Sequence, residues 1–512
     1  MLKNIGSNWV VTALQIAVLM CITPYAIHAL GKDDYGIWES IVALTGFLSL
    51  LVLGIPMASV RFIAEQAAKK DVEGTNRAIA TCNGICIGLG ALALVVGGVL
   101  YFVFDAFYLH GDSWDLGPDE INDARLAFGV VVVQVAAAFA MRLPYGVLEA
   151  HHDFVSRGAI MSLELVLRLG LTFALLAWNA SLWVLASVQV LCMLTEFTAC
   201  RVVIAKRYGH LRFSLARFDR TILRGILSFS LFAMLLNVGA LLAFRIDALV
   251  IGKFLPPDEV TYYGAGNKFF EPLTQLVIGI GAVVMPMATA LKTRGDADQL
   301  PGLLLKWSKV SLSLALVVGL YLVTLGPEFL ACWLGPEFEE RSGQVLQVLM
   351  LSFFLFLPVR GVALPMLMGV GRPERPAFAL LAMGLLNLAI SVALVRPLGI
   401  LGVALGTAVP NVLFALTLLV LACRELSIGV GRYLSYVAFK ATLGALPVAA
   451  LGLVLKYVVE VEGLIPLLAS GVGMVLVFGL TWILFVYKDD PYFDLRAELA
   501  RRLGRGGPAA SS

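Results

Sequence analysis

The sequence predicts an all-α polytopic membrane protein of about fourteen transmembrane helices. Three observations carry that expectation. Of 512 residues, 60% are hydrophobic and only 14% charged, with a mean hydropathy of +0.89; soluble domains carry about 25% charged residues. Apolar stretches of roughly 20 residues, the length that crosses hydrocarbon, follow one another with short polar gaps. Finally, Lys and Arg gather in alternate connections, as cytoplasmic loops require.

The first six stretches are 7–30, 35–60, 78–104, 124–148, 159–178 and 182–205. Six more follow at 226–251, 262–291, 307–325, 343–368, 377–395 and 400–422, with a last pair at 437–459 and 464–486. The outer connections are poor in basic residues: "FDAFYLHGDSWDLGPDEIND" has none, and the others hold only Lys32, Lys253, Arg341 and Arg396. The inner connections are basic, with Arg61, Lys69, Lys70 and Arg77, then Arg157, "KRYGHLRFSLARFDRTILR", Lys292 and Arg294, Arg372 and Arg375, and Arg424 and Arg432. A miscounted helix would break the alternation from that point on. An even number of spans with both termini cytoplasmic is the consistent solution, and the first stretch reads as an anchor and not a cleaved signal.

These features exclude several function classes. The net charge of +3 is a topology signal and implies no nucleic-acid partner. Seven scattered cysteines show no metal or disulfide spacing. The "HHD" cluster, His151 to Asp153, has no further ligand close in sequence, so no metal is expected. No phosphate-binding loop or nucleophile elbow is present, and the longest outer loop is too short for a catalytic domain, so the chain does not read as an enzyme.

Internal repetition gives the domain plan. "LGKDDYG" and "LGIPMASVRFIAE" in the first half match "IGKFLPPDEVTYYG" and "GAVVMPMATALKTRG" in the second, in the same order. "MRLPYGVLEAHHDFVSR" and "LFLPVRGVALPMLMGVGRPERP" likewise place Pro and Gly near the inner end of the fourth helix of each half. The plan is an N-terminal six-helix bundle at 1–205, a cytoplasmic linker at 206–225, a second six-helix bundle at 226–422, a helix pair at 423–487 and a cytoplasmic tail at 488–512. Bundles of even helix number share one orientation, so their relating axis lies along the membrane normal, with a midplane cavity between them.

The opening "NWVVTALQIAVLMCITPYAIHALGKDDYGIW", the unit "RIDALVIGKFL" with "YYGAGNKF", and the late "RPLGILGVALGTAV" resemble the polysaccharide (O-antigen, Wzx-type) flippases of the multidrug/oligosaccharidyl-lipid/polysaccharide exporter superfamily. The resemblance covers nearly the whole chain. It implies a V-shaped transporter of the cytoplasmic (inner) membrane that turns an undecaprenyl-diphosphate-linked oligosaccharide to the outer leaflet by alternating access. It implies no cofactor, a coupling ion of H+ or Na+ if transport is coupled, and partners among polysaccharide polymerase and chain-length proteins. The alternatives are a cation-coupled multidrug exporter of the same superfamily and a membrane-embedded glycan polymerase or glycosyltransferase.

The charges inside the apolar stretches are the candidate site. Arg or Asp at the bilayer centre costs ~2.5–3.5 kcal/mol on the insertion scale, so such residues face protein or water. In "FRIDALVIGKF", Arg245 and Asp247 point to nearly opposite sides of a helix. The next helix offers Lys268 and Glu271, giving expected pairs of Asp247 with Lys268 and Arg245 with Glu271, which act as a structural clamp or as a substrate or ion site. Glu164 and Arg168 lie four apart and can pair with each other. Arg142 and Arg360 occupy corresponding places on the fourth helix of each half, where they either snorkel to head groups or meet an entering diphosphate. Asn237, Asn267, Asn387, Gln134 and Gln189 are candidates for hydrogen bonds to sugar hydroxyls, or ties between helices.

Overall fold

A computed structural model of the chain describes residues 2–52, 55–111, 113–215, 218–219 and 237–493. Every regular element among them is helical. Ten helices among the described residues are long and apolar enough to cross a membrane, and Leu14–Leu30 forms a shorter apolar helix. The difference from about fourteen has local causes. Stretch 35–60 is interrupted by a 3-10 segment, Phe47–Val52. Residues 226–236 of stretch 226–251 lie outside the described residues. Stretches 377–395 and 400–422 run on as one element, Glu374–Glu425, folded back at Gly399, whose φ of 59° and ψ of −142° form a backbone state open essentially to glycine.

By contacts the chain divides into two units, Met1–Thr261 and Tyr262–Ser512. The first contains α1 (Leu2–Leu30), α2 (Lys32–Gly46), α3 (Ile55–Ala68), α4 (Val72–Phe104), α5 (Pro118–Met141), α6 (Leu143–Ala150), α7 (Phe154–Trp178), α8 (Leu182–Arg207) and α9 (Ile246–Phe254), while α10 (Pro257–Asn267) runs across the division. Here α5 packs against α4 and α8, α7 against α1 and α8, and α9 against α2. Helix starts are fixed by short acids. Asp71 accepts from Gly74 N at 2.8 Å. Asp123, on α5, accepts from Leu182 N and Trp183 N at 2.7 and 3.1 Å, so one span caps the orphan donors of another.

The division falls after Thr261 because the loop between α4 and α5 and the start of α2 hold the segment that carries α9. Tyr108 donates to Leu249 O at 3.1 Å, Ser113 to Lys253 O at 2.9 Å, and Thr261 to Lys32 O at 2.6 Å. The start of the basic linker is likewise strapped to this unit. Asn76 donates to His210 O at 3.2 Å and accepts from Arg212 N at 2.7 Å, and Leu211 is buried in the core beside Ile79 and Cys200.

The second unit contains α11 (Phe270–Arg294), α12 (Leu300–Leu334), α13 (Arg341–Pro358), α14 (Leu364–Gly369), α15 (Glu374–Glu425), α16 (Val430–Leu434), α17 (Lys440–Tyr457) and α18 (Leu464–Thr481). Helix α12 packs against α13, α17 and α18. Its Lys309, 1% exposed, docks the C-terminal helix pair: Nζ lies 2.5 Å from Asp490 Oδ2 and donates to Val486 O at 3.0 Å. Tyr436 OH adds a hydrogen bond to Asp490 Oδ1 at 2.6 Å. Between the two arms of α15, Asn387 donates to Thr407 at 2.9 Å and accepts from Ser391 at 3.2 Å. Asn387 is fully buried and ties helix to helix.

Candidate functional site

In the first unit, α5 stops at Met141 and α6 starts at Leu143, with Arg142 at the turn between them. The interruption follows from Pro144, which has no backbone N–H to continue the helix and restricts its predecessor. Arg142 is exposed, and among the described residues its side chain makes no hydrogen bond or ion pair. Across from it, Arg168 Nε donates to Glu164 Oε1 at 2.7 Å, and a second guanidinium nitrogen joins the same oxygen. Glu164 is buried while Arg168 is 45% exposed. A third helix adds Glu196 of α8, which accepts from Tyr145 OH at 3.0 Å. The charges of Glu164, Arg142 and Arg168 all act on Glu196. Gln134 approaches Met193 Sδ at 3.9 Å on the same side of α8.

Sequence reasoning missed Glu196 and Tyr145. The signal was present, since Glu196 stands alone among apolar neighbours in "CMLTEFTAC". Tyr145 was hidden in a motif read only for its proline and glycine.

The same unit holds Arg245, exposed, at the turn that opens α9, and Asp247, 2% exposed, in the first turn of that helix. Lys268 and Glu271 belong to the second unit. Lys268 stands at the interruption between α10 and α11, and Glu271 in the first turn of α11. Arg360 lies in a π-helical segment, Val359–Ala363, that joins α13 to α14. Its guanidinium sits 5.6 Å from the centre of the Phe356 ring, and the charge of Glu271 acts on it. Beside it, Gly361 brings the backbone so close to α11 that a Cβ there would overlap Val277.

A pattern emerges that no single motif announced. Arg142, Arg245, Lys268 and Arg360 all stand where a helix is interrupted, whereas Arg168 lies inside the continuous α7. Interrupted spans expose backbone polar groups that a membrane tolerates only against protein or a water-filled cavity, and π segments concentrate at functional sites. Among the described residues no group of His, Cys, Asp and Glu could hold a metal ion. Asp153 of "HHD" instead caps α7, accepting from Ser156 N at 3.2 Å, and pairs with Arg207 at 2.7 Å. Burial pushes this carboxyl up, but the Ser156 hydroxyl and N–H, and after them the Arg207 guanidinium, outweigh it and hold it below the usual carboxylate range.

Comparison with known proteins agrees with this architecture. Residues 1–292 match the family described as "Polysaccharide biosynthesis protein". A "Putative O-antigen transporter" of Shigella flexneri is 20% identical over 443 residues, covering 83% of this chain and 99% of the relative. Among solved structures, "Lipid II flippase MurJ, inward closed conformation" aligns with a TM-score of 0.67 at 13% identity, over 99% of this chain and 100% of the other. An inward-facing multidrug resistance MATE family transporter of the MOP superfamily aligns with a TM-score of 0.65 at 15% identity, over 81% of this chain and 98% of the other.

Proposed function

Because the chain belongs to the polysaccharide biosynthesis protein family, we propose that it is a flippase that moves a diphosphate-linked lipid oligosaccharide from the cytoplasmic to the outer leaflet of the inner membrane. The observation that carries this reading is the repeat-related pair of arginines, Arg142 and Arg360, each set at an interruption of the fourth span of its half. A guanidinium in that position, exposed at Arg142 and largely buried at Arg360, offers planar, bidentate donors to a diphosphate and keeps its charge at every physiological pH. A carrier of cationic drugs has no use for it.

The proposed cycle is alternating access between the two bundles at 1–205 and 226–422, with the V-shaped arrangement and the cytoplasmic termini of the family resemblance. Arg142, Arg168, Arg245, Lys268 and Arg360 contact the diphosphate and sugars, while the prenyl chain stays in lipid. The expected pairs of Asp247 with Lys268 and Arg245 with Glu271 stay part of this proposal, as a structural clamp or as a substrate or ion site.

The test is translocation of labelled lipid-linked glycan in proteoliposomes. A hydrogen bond to a charged group contributes about 1.5–3 kcal/mol, so Arg142→Ala and Arg360→Ala should each slow transport by roughly tenfold to a hundredfold. Lysine at either place should restore part of the rate, since the charge returns without the fork. Normal rates in both folded alanine variants would refute the cationic-site reading.

A further inference from the structure

The chain leaves α18 through a buried joint. Lys309 of α12 meets Asp490 Oδ2 at 2.5 Å with both side chains 1% exposed, and its ammonium lies 4.6 Å from the ring centre of Tyr436 and 5.0 Å from that of Tyr487. The other carboxylate oxygen of Asp490 accepts from Tyr492 N at 3.0 Å and Phe493 N at 3.1 Å. Those are the two donors that an N-cap residue satisfies, and Pro491 follows at the place where proline opens helices. The next two side chains are clamped as well. Tyr492 packs edge-on against Tyr436, and its hydroxyl accepts from Arg432 at 3.4 Å. Phe493 lies edge-on to Tyr487, with the Lys306 ammonium 5.2 Å from its ring centre. An apolar contact of similar volume would hold the helix pair as firmly as a buried ion pair does. What Asp490 adds is the direction in which the chain continues.

Beyond 493, outside the described residues, the sequence runs "DLRAELARRLGR". Leu495, Leu499 and Leu503 recur every four residues, a spacing that puts them on one side of a helix. Arg496, Arg501, Arg502 and Arg505 outnumber Asp494 and Glu498. The joint itself is ringed by Lys306, Arg432, Lys440 and Lys488, with Asp489 as the acid beside them. Like charge therefore opposes folding of this segment back onto the joint. A fitting partner is acidic and has apolar material beneath its charge. A leaflet of anionic lipid has both, and it lies at the level where the last span ends.

We propose that residues 494–505 bind the anionic lipid surface of the inner leaflet, leucines toward hydrocarbon and arginines toward phosphates, and that the Asp490 joint fixes them to the helix pair α17 and α18. The inner-leaflet placement rests on the cytoplasmic C-terminus of the reading above; the lipid binding does not. Through Lys309 the grip on lipid reaches α12, so the stability of the second unit follows the charge of the bilayer.

The experiment uses the full chain reconstituted in vesicles whose two leaflets share one composition, so the direction of insertion does not matter. Leu499→Cys, in a background with the exposed Cys21 and Cys332 replaced, carries an environment-sensitive fluorophore. In vesicles containing phosphatidylglycerol its emission should shift to the blue and be quenched by nitroxide-labelled acyl chains, and in pure phosphatidylcholine it should remain that of a dye in water. Arg501→Gln and Arg502→Gln should each lower the ratio of bound to free segment about fivefold, and high salt should weaken binding too. An equal blue shift in both lipids overturns the selection for charge. A dye that stays in water in phosphatidylglycerol overturns the lipid partner. The joint has its own arm: phosphatidylglycerol should raise the unfolding temperature of the unaltered protein, and a flexible Gly-Ser spacer inserted after Phe493 should abolish that gain while leaving the dye shift. A gain that survives the spacer overturns the role of the joint. Labelling of Leu499→Cys from the periplasmic side of cells overturns the inner-leaflet placement and the topology it rests on, and leaves the vesicle result standing.

Discussion

Asp490 shows what a single residue does for the end of this chain. Burial pushes its carboxyl up, but Lys309, the Tyr436 hydroxyl and the Tyr492 N–H outweigh that and hold it below the usual carboxylate range. The stabilisation is therefore complete above the ordinary carboxylate value and lost as pH falls through the depressed one. Both charged side chains are 1% exposed, and removing one partner strands the other. Asp490→Asn should cost about 3–5 kcal/mol and lower the melting temperature in detergent, whereas Lys309→Met with Asp490→Leu should recover most of it. A double variant no more stable than the single one would mean that the pair does not dock the helix pair. Nothing in the sequence pointed to Lys309, because a lysine two residues inside an expected span reads as a snorkelling boundary residue.

At the scale of elements, the interruptions are the main lesson. Proline marked several of them in advance: Pro144 follows Arg142, and Pro358 precedes the π segment that carries Arg360. The segment is held by contact with α11. There, Gly361 faces Val277, Gly281 lies with a would-be Cβ 2.7 Å from Pro365, and Thr289 donates to Gly369 O at 3.0 Å. Gly361→Ala should therefore overpack this seam at a cost of about 1–3 kcal/mol. Val277→Ala in the same chain removes the overlapping methyl groups and should restore stability. If thermal unfolding shows no cost for the single change, the close approach does not fix the placement of Arg360. The hydrophobic pattern could mark the spans but not the register of these contacts, since apolar residues cover most of every helix surface here.

For the molecule as a whole, topology is the open quantity with a direct readout. The acidic outer loop and the basic linker predict opposite sides of the membrane. Ser113 is tied to Lys253 O, so the exposed Asp115 is the better probe position, and the exposed Ser214 serves for the linker. An impermeant thiol reagent applied from the periplasmic side of cells should modify Asp115→Cys and spare Ser214→Cys, against a background in which exposed Cys21 and Cys332 are replaced. The reverse pattern would invert the whole arrangement and place Arg142 on the wrong side for substrate entry.

Composition, apolar stretches of spanning length and the alternation of loop charges determined that this is a multi-pass helical membrane protein, because each depends on transfer of side chains from water to lipid and on nothing further along the chain. The order of its repeats and motifs was enough to place it in the polysaccharide biosynthesis protein family. Individual charges inside spans were equally visible, since their cost is local: Glu164, Arg168, Arg142, Arg360 and the Arg245–Asp247 pair all stood out. The Glu164–Arg168 pair on one helix was legible too, but partners on other helices were not. Tertiary structure alone decided that Tyr145 and Glu196 share a hydrogen bond across 51 positions and that Lys309 meets Asp490 across 181. It also decided that the four cations stand at helix breaks and that 246–261 packs with the first unit. These follow from which helix faces meet, and in a chain that is apolar on nearly every face the hydrophobic effect no longer distinguishes one face from another; close packing and paired polar groups do.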